Sequence, residues 1–186
     1  MAGSRFVFLD RDGVLVHDVG HGHLPEHYTL LAGVIEGLTA LRDAGYRLVI
    51  VTNQSGIGRG IFTREHFEGF QRLLLDELAA AGIEIEATFM CPHHPDDACD
   101  CRKPNPASLF AVRDRMGADL ANSWMIGDHV SDVKLAANAG CHGILVLTGH
   151  GEEERRRLGD TPVDAVVADL SQAVQHILAH ERDRTS

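Results

Sequence analysis

The chain has 186 residues, of which 44% are hydrophobic and 24% are charged, and its formal net charge is -10. This length and composition fit one globular domain, predicted to span residues 1–186. The acidic total argues against broad electrostatic binding to nucleic acid or an anionic membrane, and no apolar run approaches the length of a membrane span. Because residues 1–10 lead almost directly into a first strand, we expect no signal peptide and a cytoplasmic location.

Strand and helix patterns alternate along the chain. Short apolar runs predict buried strands at 6–9, 47–52, 86–90, 123–126 and 142–147, with an edge strand at 163–167. Helical spacing of apolar residues predicts helices at 32–44, from about residue 63, and at 107–116, 132–139 and 170–178. This alternation predicts an α/β fold, a Rossmann-like doubly wound parallel sheet with helices on both faces and no separate cap domain.

Several local features carry their own expectations. Thr63 is expected to cap a helix, but His66 stands at the third helical position instead of Glu, so no capping box is expected. An apolar stripe along that helix is expected to face the core and consists of Phe67, Phe70, Leu74 and Leu78. The charge run at 152–157 is expected to be a solvated helical face, and the tail at 180–186 is expected to fray.

Polar side chains follow three of the predicted strands. They are Asp10 and Asp12 after the first strand, Thr52 and Asn53 at the end of the second, and Asp128 and Asp132 after the fourth. The carboxyl ends of parallel strands open on one edge, so these groups should meet there, together with Lys103. Crowded carboxylates raise one another's pKa, and Mg²⁺ relieves this while it also binds phosphate. The pattern therefore predicts phosphoryl transfer through an attacking carboxylate and a second, proton-donating carboxylic acid.

Four ordered motifs resemble the haloacid dehalogenase superfamily of phosphatases. They are DRDG at 10–13, TN at 52–53, RKP at 102–104 and GDxxxD at 127–132, and the resemblance spans about residues 6–147. It implies Asp10 as the nucleophile and Asp12 as the general acid and base. It also implies that Thr52 and Asn53 contact phosphate and that Lys103 stabilises its charge. The implied Mg²⁺ ligands are Asp10, the backbone carbonyl of Asp12, and Asp128, while Asp132 either orients the metal site or caps the following helix.

A cluster of cysteine and histidine lies between the third strand and the RKP motif. Three thiolates and one imidazole suit a tetrahedral structural Zn²⁺ site, with candidate ligands Cys91, His93, Cys99 and Cys101. Because all four ligands come from the protein, no open position remains for catalysis. The alternatives are three reduced thiols in a surface loop, or His94 in place of His93, although the family pattern CPHxP favours His93. Cys141 is expected to be a small buried residue.

The zinc loop makes the chain resemble two related groups, the heptose 1,7-bisphosphate phosphatases and the histidinol-phosphate phosphatases. The stretches TNQSGIGRGIFT and CRKPNP favour the first group, while the short span from His93 to Cys99 is closer to the second. The first group's pattern has Tyr where His21 stands and Lys where His129 stands. We expect hydrolysis of the C7 phosphate of D-glycero-D-manno-heptose 1,7-bisphosphate, for the nucleotide-activated heptose of lipopolysaccharide, with histidinol phosphate as the alternative.

The same resemblance implies the residues that contact substrate. They are Asp18, Val19, Gly20, His21, Thr52, Asn53, Gln54, Ser55, Arg102, Lys103 and His129. The expected partner is a small phosphorylated metabolite, with no nucleic acid and no membrane, and the chain is expected to be a monomer. Two alternatives stay open: a zinc-stapled binding module without catalysis, and a nucleic-acid end phosphatase, which the acidic charge disfavours.

Overall fold

The structure is a computed structural model that describes the backbone of residues 3–185 and the side chains of residues 3–182. It contains a six-stranded sheet in the order β3-β2-β1-β4-β5-β6, and every neighbouring pair is parallel. The strands are β1 (Phe6–Leu9), β2 (Arg47–Asn53), β3 (Ile85–Cys91), β4 (Trp124–Gly127), β5 (His142–Val146) and β6 (Ala165–Val167). The predicted Rossmann-like doubly wound sheet is confirmed.

Seven α-helices occur in the described part of the chain. They are α1 (Val34–Asp43), α2 (Ser55–Gly58), α3 (Arg64–Ala80), α4 (Ala107–Met116), α5 (Val130–Ala139), α6 (Gly151–Glu154) and α7 (Leu170–Thr185). Short 3₁₀ helices cover Pro25–His27, Leu120–Asn122 and Arg155–Arg157. None of the helices in residues 3–185 combines the length and the apolar character needed to cross a lipid bilayer.

The sheet separates two hydrophobic cores. Alternate residues of β1 point to opposite faces, so Val7 and Leu9 enter one core while Phe6 and Phe8 enter the other. The first core packs α1, α3 and α7 against the sheet, and the second packs α4 and α5. The predicted apolar stripe of α3 is buried as expected. Helices therefore cover both faces, which leaves the ends of the strands as the open surface.

Three local expectations are wrong, each for a physical reason. Helix α3 does have a capping box, because His66 Nδ1 accepts the backbone N–H of Thr63 at 3.2 Å in place of a carboxylate. Within the charge run, Glu154 is buried and accepts the backbone N–H of Val130 at 3.0 Å, so it satisfies a free donor at the start of α5. The tail continues α7 as far as Thr185 and is not frayed over those residues.

The strand order creates a crevice between β1 and β4. The chain runs from β1 outward through β2 to β3, and later returns to the other side of β1 to form β4. Ligands of open α/β sheets bind at such a switch point, beyond the carboxyl ends of the strands. Asp10 follows β1 and Asp128 follows β4, and the Asp10 N–H donates to the Ile126 carbonyl at 2.9 Å. The fold therefore brings the first and fourth strand ends together.

We predict that Leu74→Ala lowers the free energy of unfolding by about 2–5 kcal/mol, because it leaves a cavity in the first core. Leu73→Ala, on the same helix, is the matched control. Its side chain is 36% exposed, and we expect a loss below about 1 kcal/mol. Urea unfolding of both variants measures the difference, and equal losses would contradict the assigned packing of α3.

Candidate active site

A cavity of about 360 Å³ opens at the carboxyl edge of the sheet, at the switch point between β1 and β4. Its lining is mostly polar and comes from loops that are distant in sequence. The lining residues are Asp10, Asp12, Asp18, Gly20, His21, Gly22, Thr52, Asn53, Gln54, Ser55, Arg102, Lys103, Asp128, His129, Ser131 and His150. The cavity therefore gathers residues from the ends of four strands (β1, β2, β4 and β5), the loop before α1 and the end of the cysteine-rich loop.

All the predicted substrate contacts except Val19 line this cavity, and their contact with substrate stays a prediction. The Val19 side chain is 52% exposed and is not part of the lining. The sequence interpretation did not single out Gly22, Ser131 or His150. For His150 a signal existed, because it lies in the loop after β5, whose carboxyl end opens on the same edge as Asp10.

Lys103 is buried and pairs with two carboxylates, one in the loop after β1 and one in the first turn of α5. Its Nζ lies 2.8 Å from Asp10 Oδ2 and 2.7 Å from Asp132 Oδ1, and it donates to the Val51 carbonyl at 2.9 Å. Burial opposes the positive charge, but Asp10 and Asp132 outweigh it and raise the pKa of Lys103. The three acceptors match the three protons of an ammonium group, so they fix its position.

Asp128 completes a cluster of buried carboxylates with Asp10 and Asp132. Oxygen atoms of the three residues lie within 4.8 Å of one another. Burial raises the pKa of Asp128, and the charges of Asp10 and Asp132 raise it further. The Asp128 carboxylate is also oriented, because Oδ2 accepts the backbone N–H of His150 at 2.8 Å.

This carboxylate cluster suits a hard divalent cation. Mg²⁺ binds carboxylate oxygens and its positive charge offsets the repulsion that raises the carboxylate pKa values. A side chain at position 13 would clash with the Asp128 carboxylate, because a Cβ added at Gly13 would lie 2.3 Å from Asp128 Oδ2. Glycine at this position therefore leaves room for the carboxylate. Asp132 is the less available of the three, because it pairs with Lys103 and accepts the His129 N–H at 3.1 Å. The donors therefore fit the Mg²⁺ ligands predicted from the sequence, and Asp132 holds Lys103 and caps α5.

Asp12 lies beside the cluster and is held by two neighbouring side chains. The Arg11 guanidinium reaches both of its carboxylate oxygens at 2.9 Å, and Gln54 Nε2 donates to Oδ2 at 2.7 Å. Burial raises the pKa of Asp12, and the positive charge of Arg11 opposes that rise. A carboxylic acid whose pKa is raised is suited to donate a proton.

The residues after β2 connect these groups. Gln54 Nε2 also donates to Thr52 Oγ1 at 2.9 Å, so the Gln54 side-chain amide is hydrogen-bonded to both Asp12 and Thr52. The Asn53 side chain accepts the Lys103 N–H at 3.0 Å and donates to the Lys103 carbonyl at 3.3 Å. The Asn53 amide is thus engaged in positioning the backbone of Lys103.

His129 lies in the cavity with both ring nitrogens engaged by the protein. Its Nδ1 accepts the Ser131 N–H at 3.1 Å, and its Nε2 lies 3.2 Å from Glu154 Oε2. Because Nδ1 is an acceptor here, Nε2 carries the proton that faces Glu154. Burial lowers the pKa of His129, and Lys103 lowers it further, although the charge of Glu154 acts in the opposite direction.

The loop before α1, here called the covering loop, forms part of the cavity wall through residues 18 and 20–22 and is held at several points. The Asp18 carboxylate pairs with His150 Nε2 at 2.9 Å and accepts the Gly20 N–H at 2.7 Å. The His23 ring stacks on Phe62, with centroids 4.9 Å apart and planes at 9°. These contacts fix the segment that carries His21 and Gly22 into the lining.

The cysteine-rich loop gathers its four predicted zinc ligands. Cys101 Sγ lies 3.1 Å from Cys91 Sγ and 3.9 Å from Cys99 Sγ, and His93 Nδ1 lies 3.1 Å from Cys101 Sγ. Tetrahedral Zn²⁺, with Zn–S of about 2.3 Å and Zn–N of about 2.0 Å, places three sulfur atoms and one nitrogen about 3.5–3.8 Å apart. The donor set and its spacing fit Zn²⁺. His94 lies outside the group, and Cys141 is partly buried against the second core.

Comparison with protein families and curated proteins gives consistent matches. The family model described as HAD-hydrolase-like matches residues 100–173. A protein of Yersinia pestis described as D-glycero-beta-D-manno-heptose-1,7-bisphosphate 7-phosphatase is 38% identical over 181 residues, covering 91% of this chain and 94% of that protein. A protein of Vibrio cholerae with the same description is 40% identical over 180 residues, covering 92% of this chain and 95% of that protein.

A solved structure matches over almost the whole chain. It is the crystal structure of the D,D-heptose 1,7-bisphosphate phosphatase from B. bronchiseptica, complexed with magnesium and phosphate. The TM-score is 0.86 at 35% sequence identity, and the match covers 95% of this chain and 99% of the other.

We predict that Cys101→Ser lowers the bound zinc from about one ion per chain to well below that value, because it removes one of four ligands. Cys141→Ser is the matched control and should keep its zinc, since Cys141 lies outside the cluster. Metal analysis of both purified proteins makes the measurement. Full zinc retention in Cys101→Ser, or zinc-free wild-type protein of unchanged stability in a chelator, would contradict the site.

Proposed function

Because this chain belongs to the haloacid dehalogenase-like hydrolase family and is a phosphoric monoester hydrolase, we propose that it removes the C7 phosphate of D-glycero-β-D-manno-heptose 1,7-bisphosphate. One observation supports this most strongly. A single cavity holds Asp10, Asp12, Asp128 and Lys103 in a chain that aligns almost end to end with heptose bisphosphate phosphatases. The proposed role is in making nucleotide-activated heptose for lipopolysaccharide.

The proposed catalytic cofactor is Mg²⁺, held by Asp10, Asp128 and the backbone carbonyl of Asp12. The related crystal structure is described as a complex with magnesium and phosphate, which supports this assignment. When bound, the ion supplies positive charge that lets an anionic phosphate approach a carboxylate-lined cavity. Zn²⁺ is proposed as a structural ion that shapes the loop leading to Arg102 and Lys103.

The proposed reaction uses two carboxyl groups in turn. An Asp10 oxygen forms a bond to phosphorus as the bond from phosphorus to the sugar oxygen breaks, and Asp12 donates its proton to that sugar oxygen. In the second half, the Asp12 carboxylate takes a proton from water. The water oxygen bonds to phosphorus while the Asp10–phosphorus bond breaks, which releases phosphate and restores both carboxyl groups.

The remaining cavity residues are proposed to hold the substrate. Thr52 and Lys103 face the transferring phosphate, whose charge Lys103 offsets. Arg102 lines the cavity, and its Nη1 has no hydrogen-bond partner among the described residues. A guanidinium group in the lining favours a second anionic group, and the C1 phosphate of a bisphosphate supplies one.

The other functions are less well supported. Histidinol phosphate carries no second phosphate that could satisfy Arg102, and the reported relatives are described as heptose bisphosphate phosphatases. A binding module without catalysis would not need a buried Lys103 paired with Asp10 and Asp132. We also propose that the chain acts as one domain, as a monomer in the cytoplasm, on a small phosphorylated metabolite.

We predict that kcat/KM for the β-anomer of the heptose bisphosphate exceeds that for histidinol phosphate at least about tenfold, because only the former satisfies Arg102 with a second phosphate. Phosphate release from both substrates by one preparation measures this. A preference for histidinol phosphate would reverse the assignment.

Replacement of the nucleophile tests the mechanism independently of the substrate. Asp10→Asn should lower kcat at least about a thousandfold, because the amide cannot attack phosphorus. Asp114→Asn makes the same chemical change on an exposed side chain and should keep wild-type turnover. If Asp10→Asn retains near wild-type kcat, the assigned nucleophile is wrong.

A further inference from the structure

Arg11 stands between the proposed nucleophile and the proposed acid, and the mechanism above gives it no role. Its side chain is fully buried. Its Nε lies 3.2 Å from each carboxylate oxygen of Asp12, and its Nη2 lies 2.9 Å from each. A planar guanidinium that reaches both oxygens through two nitrogens restricts the orientation of the carboxylate as well as its position.

The position of the guanidinium is itself restricted by two aromatic rings of α3. The Arg11 Cζ atom lies 4.7 Å from the Phe70 ring centroid and 5.2 Å from the Phe67 ring centroid. Such contacts between a cation and an aromatic face are favourable when the cation is desolvated. Helix α3 therefore anchors Arg11, which in turn anchors Asp12.

Arg11 also contacts the covering loop. Its Nη2 donates to the Gly22 carbonyl at 3.3 Å, and Gly22 is part of the cavity lining. On the other side of Asp12, Gln54 Nε2 donates at 2.7 Å. The Asp12 carboxylate therefore cannot rotate without breaking hydrogen bonds to Arg11 and Gln54. Because Arg11 also bonds to Gly22, it connects the Asp12 carboxylate to the covering loop.

We propose that Arg11 is a positioning residue that aligns the Asp12 carboxyl group with the leaving oxygen and couples this alignment to the covering loop through Gly22. The inference rests on the proposed function. In the step concerned, the bond between phosphorus and the ester oxygen breaks and the Asp12 proton passes to that oxygen, while Asp10 bonds to phosphorus. A misaligned Asp12 slows this proton transfer without altering the nucleophile.

The need for a proton depends on the leaving group. An alkoxide such as that of a sugar must be protonated as it leaves, whereas p-nitrophenolate is stable enough to leave without a proton. A defect confined to Asp12 alignment therefore slows the first half of the reaction strongly for an alkyl phosphate and weakly for p-nitrophenyl phosphate. The second half, in which Asp12 takes a proton from water, is the same for both esters and does not enter kcat/KM. A general loss of active-site structure affects both esters alike.

The experiment compares wild-type protein with Arg11→Gln and Arg11→Lys on two substrates, the heptose bisphosphate and p-nitrophenyl phosphate, at saturating Mg²⁺. For Arg11→Gln we expect kcat/KM on the sugar phosphate to fall about a hundredfold and kcat/KM on p-nitrophenyl phosphate to fall less than about fivefold. We expect KM for the sugar phosphate to change little, and Arg11→Lys to recover part of the lost kcat/KM.

Equal losses of kcat/KM on the two esters in Arg11→Gln would overturn the positioning role, provided that wild-type protein hydrolyses both. Wild-type protein that hydrolyses neither ester would overturn the proposed function as well as this inference. If circular dichroism shows that the Arg11 variants do not fold, Phe67→Leu serves instead, because it loosens the guanidinium but retains its charge. A selective loss of kcat/KM on the sugar phosphate is then expected, and an unchanged ratio of the two kcat/KM values would contradict the proposal.

Discussion

The buried ammonium group of Lys103 determines how the active-site carboxylates are arranged. It contacts Asp10 after β1 and Asp132 in α5, and it donates to the carbonyl of Val51 in β2. A buried charge is tolerated only when it is paired and hydrogen-bonded, so loss of either carboxylate would leave the Lys103 charge only partly paired. Lys103 follows the last cysteine of the zinc loop by two residues, and Asn53 holds its backbone on both sides. The position of the cysteine-rich loop and the position of the Lys103 ammonium group in the candidate active site are therefore linked through the backbone of residues 101–103.

The charges around the cavity also explain why a divalent cation fits there. Four carboxylates (Asp10, Asp12, Asp128 and Asp132) face two buried cations, Arg11 and Lys103. If these six groups are all ionised, two negative charges remain in excess. Burial raises the pKa of Asp128 and Asp132, and the neighbouring charge of Asp10 raises both further. One Mg²⁺ would balance this excess. The switch point of the sheet makes the arrangement possible, because only there do the ends of β1 and β4 adjoin.

Periodicity predicted the framework well and the contacts between loops poorly. The apolar runs predicted all six strands, and the predicted helix at 107–116 matches the bounds of α4. The strand ends also predicted that Asp10 and Asp128 converge, because that follows from parallel topology. The burial of Glu154 was missed, because a run of charged residues indicates a solvated helical face. The partner of Glu154 is the Val130 N–H at the start of α5, which is distant in sequence. Gly22 was missed because its place in the cavity depends on loops that meet only in three dimensions, whereas parallel topology alone could have placed His150 at this edge of the sheet.

The proposed mechanism depends on Asp10 accepting a phosphoryl group. Capture of the resulting aspartyl phosphate tests this step most directly. Wild-type protein is mixed with the heptose bisphosphate and Mg²⁺, quenched in acid within one turnover and reduced with borohydride, which converts an aspartyl phosphate into homoserine. Peptide mass spectrometry then identifies the modified position. The account predicts homoserine at position 10 in wild-type protein. Homoserine at another position, or substrate turnover with none at position 10, would contradict it.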